Sequence, residues 1–223
     1  MRIAVTQRVD TVPTRGERRD ALDQAWIPFL ISCDIEPVIL SNKLPDPVNY
    51  MRSSRARGVI LTGGGNISES LGTIDQKPAK VPECDTGLAP ERDQLETMIL
   101  HASLVEDWPV IGVCRGMQVL NIFHGGTIVK VGGHAGTTHN VYTDKLNNKK
   151  HKYEFDEKVN SFHDYGIREK DLGKNLRILA GLDGFVEAII HERFRHLGIM
   201  WHPERNKSYS HNDMNIFRTF FFN

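Results

Sequence analysis

"VIGVCRGMQVLNIFHGG", residues 110–126, decides the fold. Val110 to Val113 form a short apolar run of the kind that fills a buried strand, and it meets Cys114 with no polar spacer. From Arg115 the pattern turns helical and stops at Gly125 and Gly126, residues able to take the left-handed conformation of a helix end. The unit reads strand, cysteine, helix. In open α/β folds a side chain at such a turn stands above the carboxyl edge of the sheet, where ligands bind. Cys114 then lies at a helix N-terminus, whose free N–H groups favour thiolate over thiol. Gly112 and Gly116 flank it, as a tight turn and a close helix-to-sheet contact require. The plainer alternative is a small core residue between ordinary glycines.

Working outward, the first half of the chain alternates short apolar runs with helical patterns, which predicts a parallel sheet. "RIAV" (2–5), "EPVIL" (36–40), "RGVILTGGG" (57–65) and "WPVIGV" (108–113) read as strands. Leu22, Ala25, Trp26, Phe29 and Cys33 recur at helical spacing, which makes Cys33 a core residue. "APERDQLETMILHASLVED" (89–107) opens on proline and acids and carries Leu95, Met98, Ile99, Ala102 and Val105 on one stripe. After residue 127 the runs shorten to "HNVYTD", "HKYEFD", "VNSFHD", "LRILAGLDG", "VEAIIHE" and "HLGIMWHPE", read as antiparallel strands or sheet-edge additions. The polar segments 73–89 and 144–152 read as loops, too short for linkers. "NIFRTFFFN" (215–223) reads as an amphipathic helix covering the core, the alternative being a homodimer contact. The expectation is an α/β fold of residues 1–223 as a single domain, with a mostly parallel central sheet and antiparallel additions in the second half.

Lysine plus arginine equals aspartate plus glutamate at 28 each, so no overall field favours nucleic acid or an anionic membrane. No segment approaches the roughly 20 apolar residues of a membrane span, and "MRIAVTQRVD" lacks the apolar stretch of a signal peptide. A cytoplasmic protein is expected. Cys33, Cys84 and Cys114 form no paired framework and no C-x-x-C, so neither disulfides nor a cysteine-bound zinc is suggested, and Cys84 reads as a loop thiol.

Two further strand ends carry chemistry. In "GIMWHPER" (198–205), Pro203 biases His202 toward an extended conformation, in which His202 and Glu204 share a side. A carboxylate holding one imidazole nitrogen leaves the other facing a thiol, as a general base requires. In "LTGGGN" (61–66), a glycine run places bare N–H groups where an oxyanion hole needs them. A surface histidine beside a solvated glutamate, and a flexible turn, are the bland readings. The coincidence of three such features at three strand ends points instead to one acyl-transfer site. His134, His139, His151 and His163 match no zinc spacing and lie in loop-rich segments, so no metal is expected. Arg8, Arg15, Arg18 and Arg19 fall in or beside the loop after the first strand; they read either as a site for an anionic leaving group or as a solvated charged turn leading into a helix.

"GVCRGMQ", "LTGGGN" and "WHPER", in this order and spacing along essentially the whole chain, resemble the class I glutamine amidotransferase superfamily. "PERDQLE" (90–96) and "VNSFHD" (159–164) resemble its free-standing γ-glutamyl hydrolase branch. The resemblance implies a flavodoxin-like three-layer fold, no cofactor and a small-molecule γ-glutamyl substrate. It implies Cys114 as nucleophile, His202 as base and then acid, and Glu204 as its orienter. It further implies Gly64 or Gly65 with the Arg115 N–H as oxyanion donors, Gln118 at the glutamyl head group, and Ser161 and His163 in a substrate-facing segment. Met200 departs from the family's usual glutamine, and Asp164 with Tyr165 from its usual His or Gln run. At whole-chain level the sequence is similar to the γ-glutamyl-CDP-amidate hydrolases, which implies a nucleotide leaving group near Arg8 and Arg15. The γ-glutamyl-γ-aminobutyrate hydrolases and glutaminase subunits are the alternatives.

Overall fold

The computed structural model describes residues 1–84, 86–143 and 152–222, so His151 and most of the polar segment 144–152 fall outside it. In chain order the elements begin with β1 (Arg2–Val5), β2 (Arg8–Val12), β3 (Glu17–Ala21), α1 (Trp26–Ser32), β4 (Glu36–Ile39), α2 (Pro47–Ser53) and β5 (Val59–Leu61). They continue with α3 (Pro90–Glu106), β6 (Val110–Val113), α4 (Arg115–Phe123), β7 (Val129–Lys130), β8 (Thr137–Asn140), β9 (Tyr142–Thr143) and β10 (Lys158–Ser161). Last come β11 (Tyr165–Arg168), β12 (Leu176–Leu182), β13 (Phe185–His191), β14 (His196–Ile199) and α5 (His211–Phe222).

Five strands pair in parallel in the order β4-β1-β5-β6-β14. This is the flavodoxin-like order, and it puts the ends of β5, β6 and β14 side by side on one carboxyl edge. Alternation along the strands divides the core in two. Ala4, Val59, Leu61 and Val110 pack with Met51 of α2, Leu95 and Ile99 of α3 and Met117 of α4. Ile3, Val5, Ile60, Ile111 and Leu197 pack on the opposite face with Trp26 and Phe29 of α1 and with Phe217 and Phe221 of α5. The expected α/β three-layer architecture is thereby present, with α5 covering the core as one of the two readings of "NIFRTFFFN" required.

Four expectations need correction. "HLGIMWHPE" supplies no antiparallel addition: β14 pairs in parallel with β6 from His196↔Val110 to Ile199↔Val113 and is the fifth strand of the parallel core. Antiparallel pairing begins one strand later, at β13. "HKYEFD" forms no strand in its described part; Tyr153 is buried and Phe155 sets its ring edge-on against Trp201. Residues 8–21 form a hairpin rather than a turn entering a helix: β2 pairs antiparallel with β3 from Arg8↔Ala21 to Val12↔Glu17, with Asp10 opposite Arg19. On α3 the buried face is Arg92, Asp93, Leu95, Glu96, Ile99, Leu100 and Ser103, while Met98 and Val105 are exposed. Cys33 is core as expected, and burial pushes its thiol up to about 12. No helix among the described residues is long and apolar enough to cross a membrane.

At the opposite end of the sheet a buried chain runs from His124 Nε2 to His196 Nδ1 (2.9 Å) and from His196 Nε2 to Ser103 Oγ (2.9 Å). Burial, with His191 nearby, pushes His124 down to about 3, and His196 is held low for the same reasons. The unfolded chain takes up this proton near pH 6.5 and the folded chain only near 3, so the stability is full above pH 6.5 and is lost progressively on acidification. At a pH of about 4.5 the loss from His124 alone is about 2–3 kcal/mol. Thermal unfolding should show a drop of several degrees between neutral pH and that point, and His124→Gln should flatten the dependence.

Candidate active site

Cys114 stands between β6 and α4 with φ 53° and ψ −106°, a left-handed backbone that an L-residue adopts only when its surroundings impose it. What imposes it is close approach. A Cβ on Gly112 would come within 2.4 Å of the Gly116 backbone, and one on Gly116 within 2.0 Å of the Leu61 carbonyl oxygen. The two glycines let the first turn of α4 press onto β5 and β6, and the Cys114 N–H donates to Ile199 O on β14 at 2.8 Å. The thiol is thus fixed to the strand that delivers the histidine.

His202 and Glu204 follow β14 and are both buried, with His202 Nδ1 2.7 Å from Glu204 Oε1. Since a carboxylate accepts, Nδ1 carries a proton and Nε2 is the nitrogen left for the thiol. Burial lowers the imidazole's proton affinity, but the charge and hydrogen bond of Cys114 and then those of Glu204 outweigh it, raising His202 to about 9. An imidazole so raised can accept and hold the proton that a neighbouring nucleophile must lose. Asn160 clamps the histidine backbone from both sides: its Oδ1 accepts from His202 N at 2.8 Å and its Nδ2 donates to His202 O at 2.7 Å. Asn160 lies in "VNSFHD" beside the residues singled out from sequence, but nothing in the sequence pairs it with a residue 42 positions on.

The glycine loop closes the third side. Gly63 approaches His202 so nearly that a Cβ there would meet its Cε1 at 2.6 Å, a role not read from sequence. Gly64 and Gly65 take φ of 86° and 76°. The carbonyls of this loop are drawn inward by Arg92, whose Nη1 donates to Gly64 O (2.7 Å) and whose Nη2 donates to Thr62 O (2.5 Å). Arg92 belongs to a buried quartet. Its Nε donates to Glu96 Oε1 at 2.8 Å, Arg115 Nη1 donates to Glu96 Oε2 at 2.6 Å, and Arg115 Nη2 pairs with Asp93. Although burial raises Glu96, the two guanidinium groups outweigh it and hold the carboxyl below its usual range.

A cavity of about 240 Å³ opens beside Cys114, lined by Gly64, Gly65, Arg115, Gln118, His163 and His202 among others. Of the residues expected at the site, Gln118 lines this cavity with its Nε2 donating to Tyr165 O at 2.8 Å, close to Met200. Ser161 does not line it: its hydroxyl is buried and has no partner among the described residues. Arg8 lies against the glycine loop, its Cδ 3.0 Å from where a Cβ on Gly64 would stand, and pairs with Asp10. Arg15 is not at the site. It caps the tip of the β2–β3 hairpin, 69% exposed and 4.0 Å from Glu17. Arg18 and Arg19 pair with Glu91 and Glu17, so the basic cluster is largely neutralised where it stands.

A family model for peptidase C26 matches residues 3–204. The chain belongs to the peptidase C26 family. It is 33% identical over 181 residues to the glutamine amidotransferase-like protein YvdE of Lactococcus lactis, covering 73% of this chain and 72% of that one. It is 28% identical to the γ-glutamyl-CDP-amidate hydrolase of Campylobacter jejuni, over 99% of this chain and 98% of that one. Among solved structures, a glutamine amidotransferase of Thermotoga maritima superposes with a TM-score of 0.60 at 15% identity, over 91% of this chain and 76% of that one. This last likeness concerns the fold, and it agrees with the flavodoxin-like strand order. The C26 relatives place the chain among γ-glutamyl hydrolases and glutamine amidotransferase-like proteins.

Two measurements follow from the geometry. By NMR the His202 imidazolium should titrate near pH 9, and the value should fall in Cys114→Ala and in Glu204→Gln, since each removes a group that raises it. Arg92→Met should destabilise the fold by about 3–5 kcal/mol in denaturant unfolding, because it removes a partner of the buried Glu96 and frees the loop carbonyls.

Proposed function

We propose that this C26 protein is a cysteine-dependent hydrolase of γ-glutamyl amides, with γ-glutamyl-CDP-amidate as its substrate. The observation that carries the proposal is a buried imidazole held between Cys114 and Glu204, at the edge of a cavity walled by bare glycine backbone. The Cys114 thiolate attacks the γ-carbonyl carbon and forms a C–S bond. The resulting oxyanion is stabilised by N–H groups of Gly64 or Gly65 and of Arg115, positioned before the substrate arrives. The C–N bond then breaks as the His202 imidazolium gives its proton to the departing nitrogen. His202, now neutral, takes a proton from water, which attacks the thioester and releases glutamate and the thiolate. Glu204 keeps Nδ1 protonated and stabilises the imidazolium in both half-reactions. Gln118, on the first turn of α4 past the thiol, holds the glutamyl head group in this reading.

The nucleotide half of the proposal rests on the near end-to-end match with the Campylobacter jejuni relative and on Arg8 beside the glycine loop. An arginine there can meet a diphosphate if it exchanges Asp10 for phosphate oxygens.

Glutamate release from a panel of γ-glutamyl amides tests both halves. Cys114→Ala should abolish release from every member, and wild-type rates in that variant would remove the nucleophile assignment. Arg8→Ala should raise KM for γ-glutamyl-CDP-amidate about tenfold while changing little for a small neutral amide. Equal losses on both compounds would refute phosphate recognition. Preferential turnover of γ-glutamyl-γ-aminobutyrate, or of glutamine itself, would move the protein to those substrates.

A further inference from the structure

Histidines that show no metal spacing in the sequence converge in the fold. Glu187, on β13, is 1% exposed, and neither of its oxygens has a hydrogen-bond partner among the described residues. A carboxylate so deeply buried persists only when it is paired, hydrogen-bonded or bound to a metal. His139 on β8 brings Nε2 to 3.3 Å from Oε2, and His163, just past β10, brings Nε2 to 3.8 Å from Oε1. Neither approach has the geometry of a hydrogen bond. His134, in the loop after β7, sets its ring 5.1 Å from that of His139 and 4.9 Å from that of His163, and its Nδ1 is also without a partner. Ligand atoms of His134, His139 and Glu187 lie within 4.8 Å of one another.

The position of one proton makes the cluster informative. His163 Nδ1 is 3.0 Å from the carbonyl oxygen of Tyr165, which only accepts, so Nδ1 carries the hydrogen. With Nδ1 holding the hydrogen, a neutral ring leaves a lone pair on Nε2. That lone pair faces Glu187 Oε1. Two acceptors confronting each other away from water repel unless a proton or a metal cation stands between them. A histidine that donates one N–H to a backbone carbonyl and presents the other nitrogen bare is the arrangement that orients metal ligands. A tetrahedral zinc with bonds of about 2.0–2.1 Å spaces its ligand atoms about 3.4 Å apart. His139 Nε2 and Glu187 Oε2, 3.3 Å apart, meet that spacing, while His163 Nε2 faces the other carboxylate oxygen at 3.8 Å.

We propose that His134, His139 and Glu187, completed by His163 from beside the other Glu187 oxygen, form a site for a divalent metal, Zn²⁺. Three imidazoles and a carboxylate make an N/O donor set suited to zinc, and four protein ligands leave no open position, so the ion's work is structural. It ties the loop after β7 and the β8–β10 ladder to β13. Because His163 also lines the cavity beside Cys114, the ion fixes that wall as well. The proposal stands apart from the γ-glutamyl reading. Its rival is a protonated His139 paired with Glu187 and no metal at all.

Titration of the EDTA-stripped full chain with zinc chloride against a chromophoric competitor separates the two. A single Zn²⁺ should bind per chain, should still bind in Cys114→Ser, and should bind about 100-fold or more weakly in Glu187→Gln and in His139→Ala. Zinc should raise the Tm of the parent and not of those two variants, and Co²⁺ in its place should give the visible absorption of a tetrahedral site. Absence of zinc binding overturns the proposal, as does binding unchanged in both variants or binding lost in Cys114→Ser. If Glu187→Gln fails to fold, His139→Ala decides the matter alone, since its side chain lies on a short two-stranded ladder rather than in the main sheet.

Discussion

The buried quartet of Arg92, Asp93, Glu96 and Arg115 is the constraint on which the site depends. Burying four charges is unfavourable unless every one is paired, and here each carboxylate meets a guanidinium while Arg92 spends its remaining donors on the carbonyls of the glycine loop. Arg115 is the residue after Cys114, and Thr62 to Gly64 form the loop facing it. One cluster on α3 therefore fixes both sides of the gap in which the carbonyl of a substrate would lie. Ser68 and Thr6 complete it, donating to Asp93 at 2.6 Å and to Glu96 at 2.9 Å. Nothing in this support can move without exposing an uncompensated charge to the interior.

The parallel strands β1, β5 and β6 and the three chemically loaded strand ends were legible in the sequence, because a buried strand of this kind is a short unbroken apolar run. Cys114 and His202 were legible for a related reason: each follows an apolar run directly, with Glu204 two residues on, so their position on the edge needs no knowledge of the loops. What stayed hidden depends on pairing between distant segments. β14 looks like its antiparallel neighbours in composition, and only its partner β6 makes it central. Arg15 and Arg8 are seven residues apart and read alike, yet the hairpin carries one to an exposed tip and leaves the other beside Gly64. Arg92, Asp93 and Glu96 gave a signal that an apolar stripe conceals: three charged residues on one face of a helix that otherwise packs inward.

The histidines show the same limit most plainly. His134 and His139 are close in sequence, but His163 and Glu187 come from segments that meet them only through the β8–β10 ladder and β13. A search for regular ligand spacing passes over such a set, and Glu187, inside an apolar strand, attracts no notice until its two oxygens are seen to lack a hydrogen bond among the described residues.

Cys114 and His202 hang from adjacent strands joined by the hydrogen bond from Cys114 N to Ile199 O, whereas Gln118 and His163 meet the cavity beside the antiparallel part of the sheet, where Tyr165 begins β11. The seam between the two kinds of pairing runs along the cavity itself. A lineage carrying this architecture can rebuild the segments from β7 to β11 around Asn160, so long as that residue keeps its two bonds to the His202 backbone, without disturbing the strand pair that holds the thiol and imidazole. Divergence in what is bound is thereby mechanically insulated from the apparatus that acts on it, and a gene encoding such a protein can acquire new preferences by changes confined to one stretch of its length.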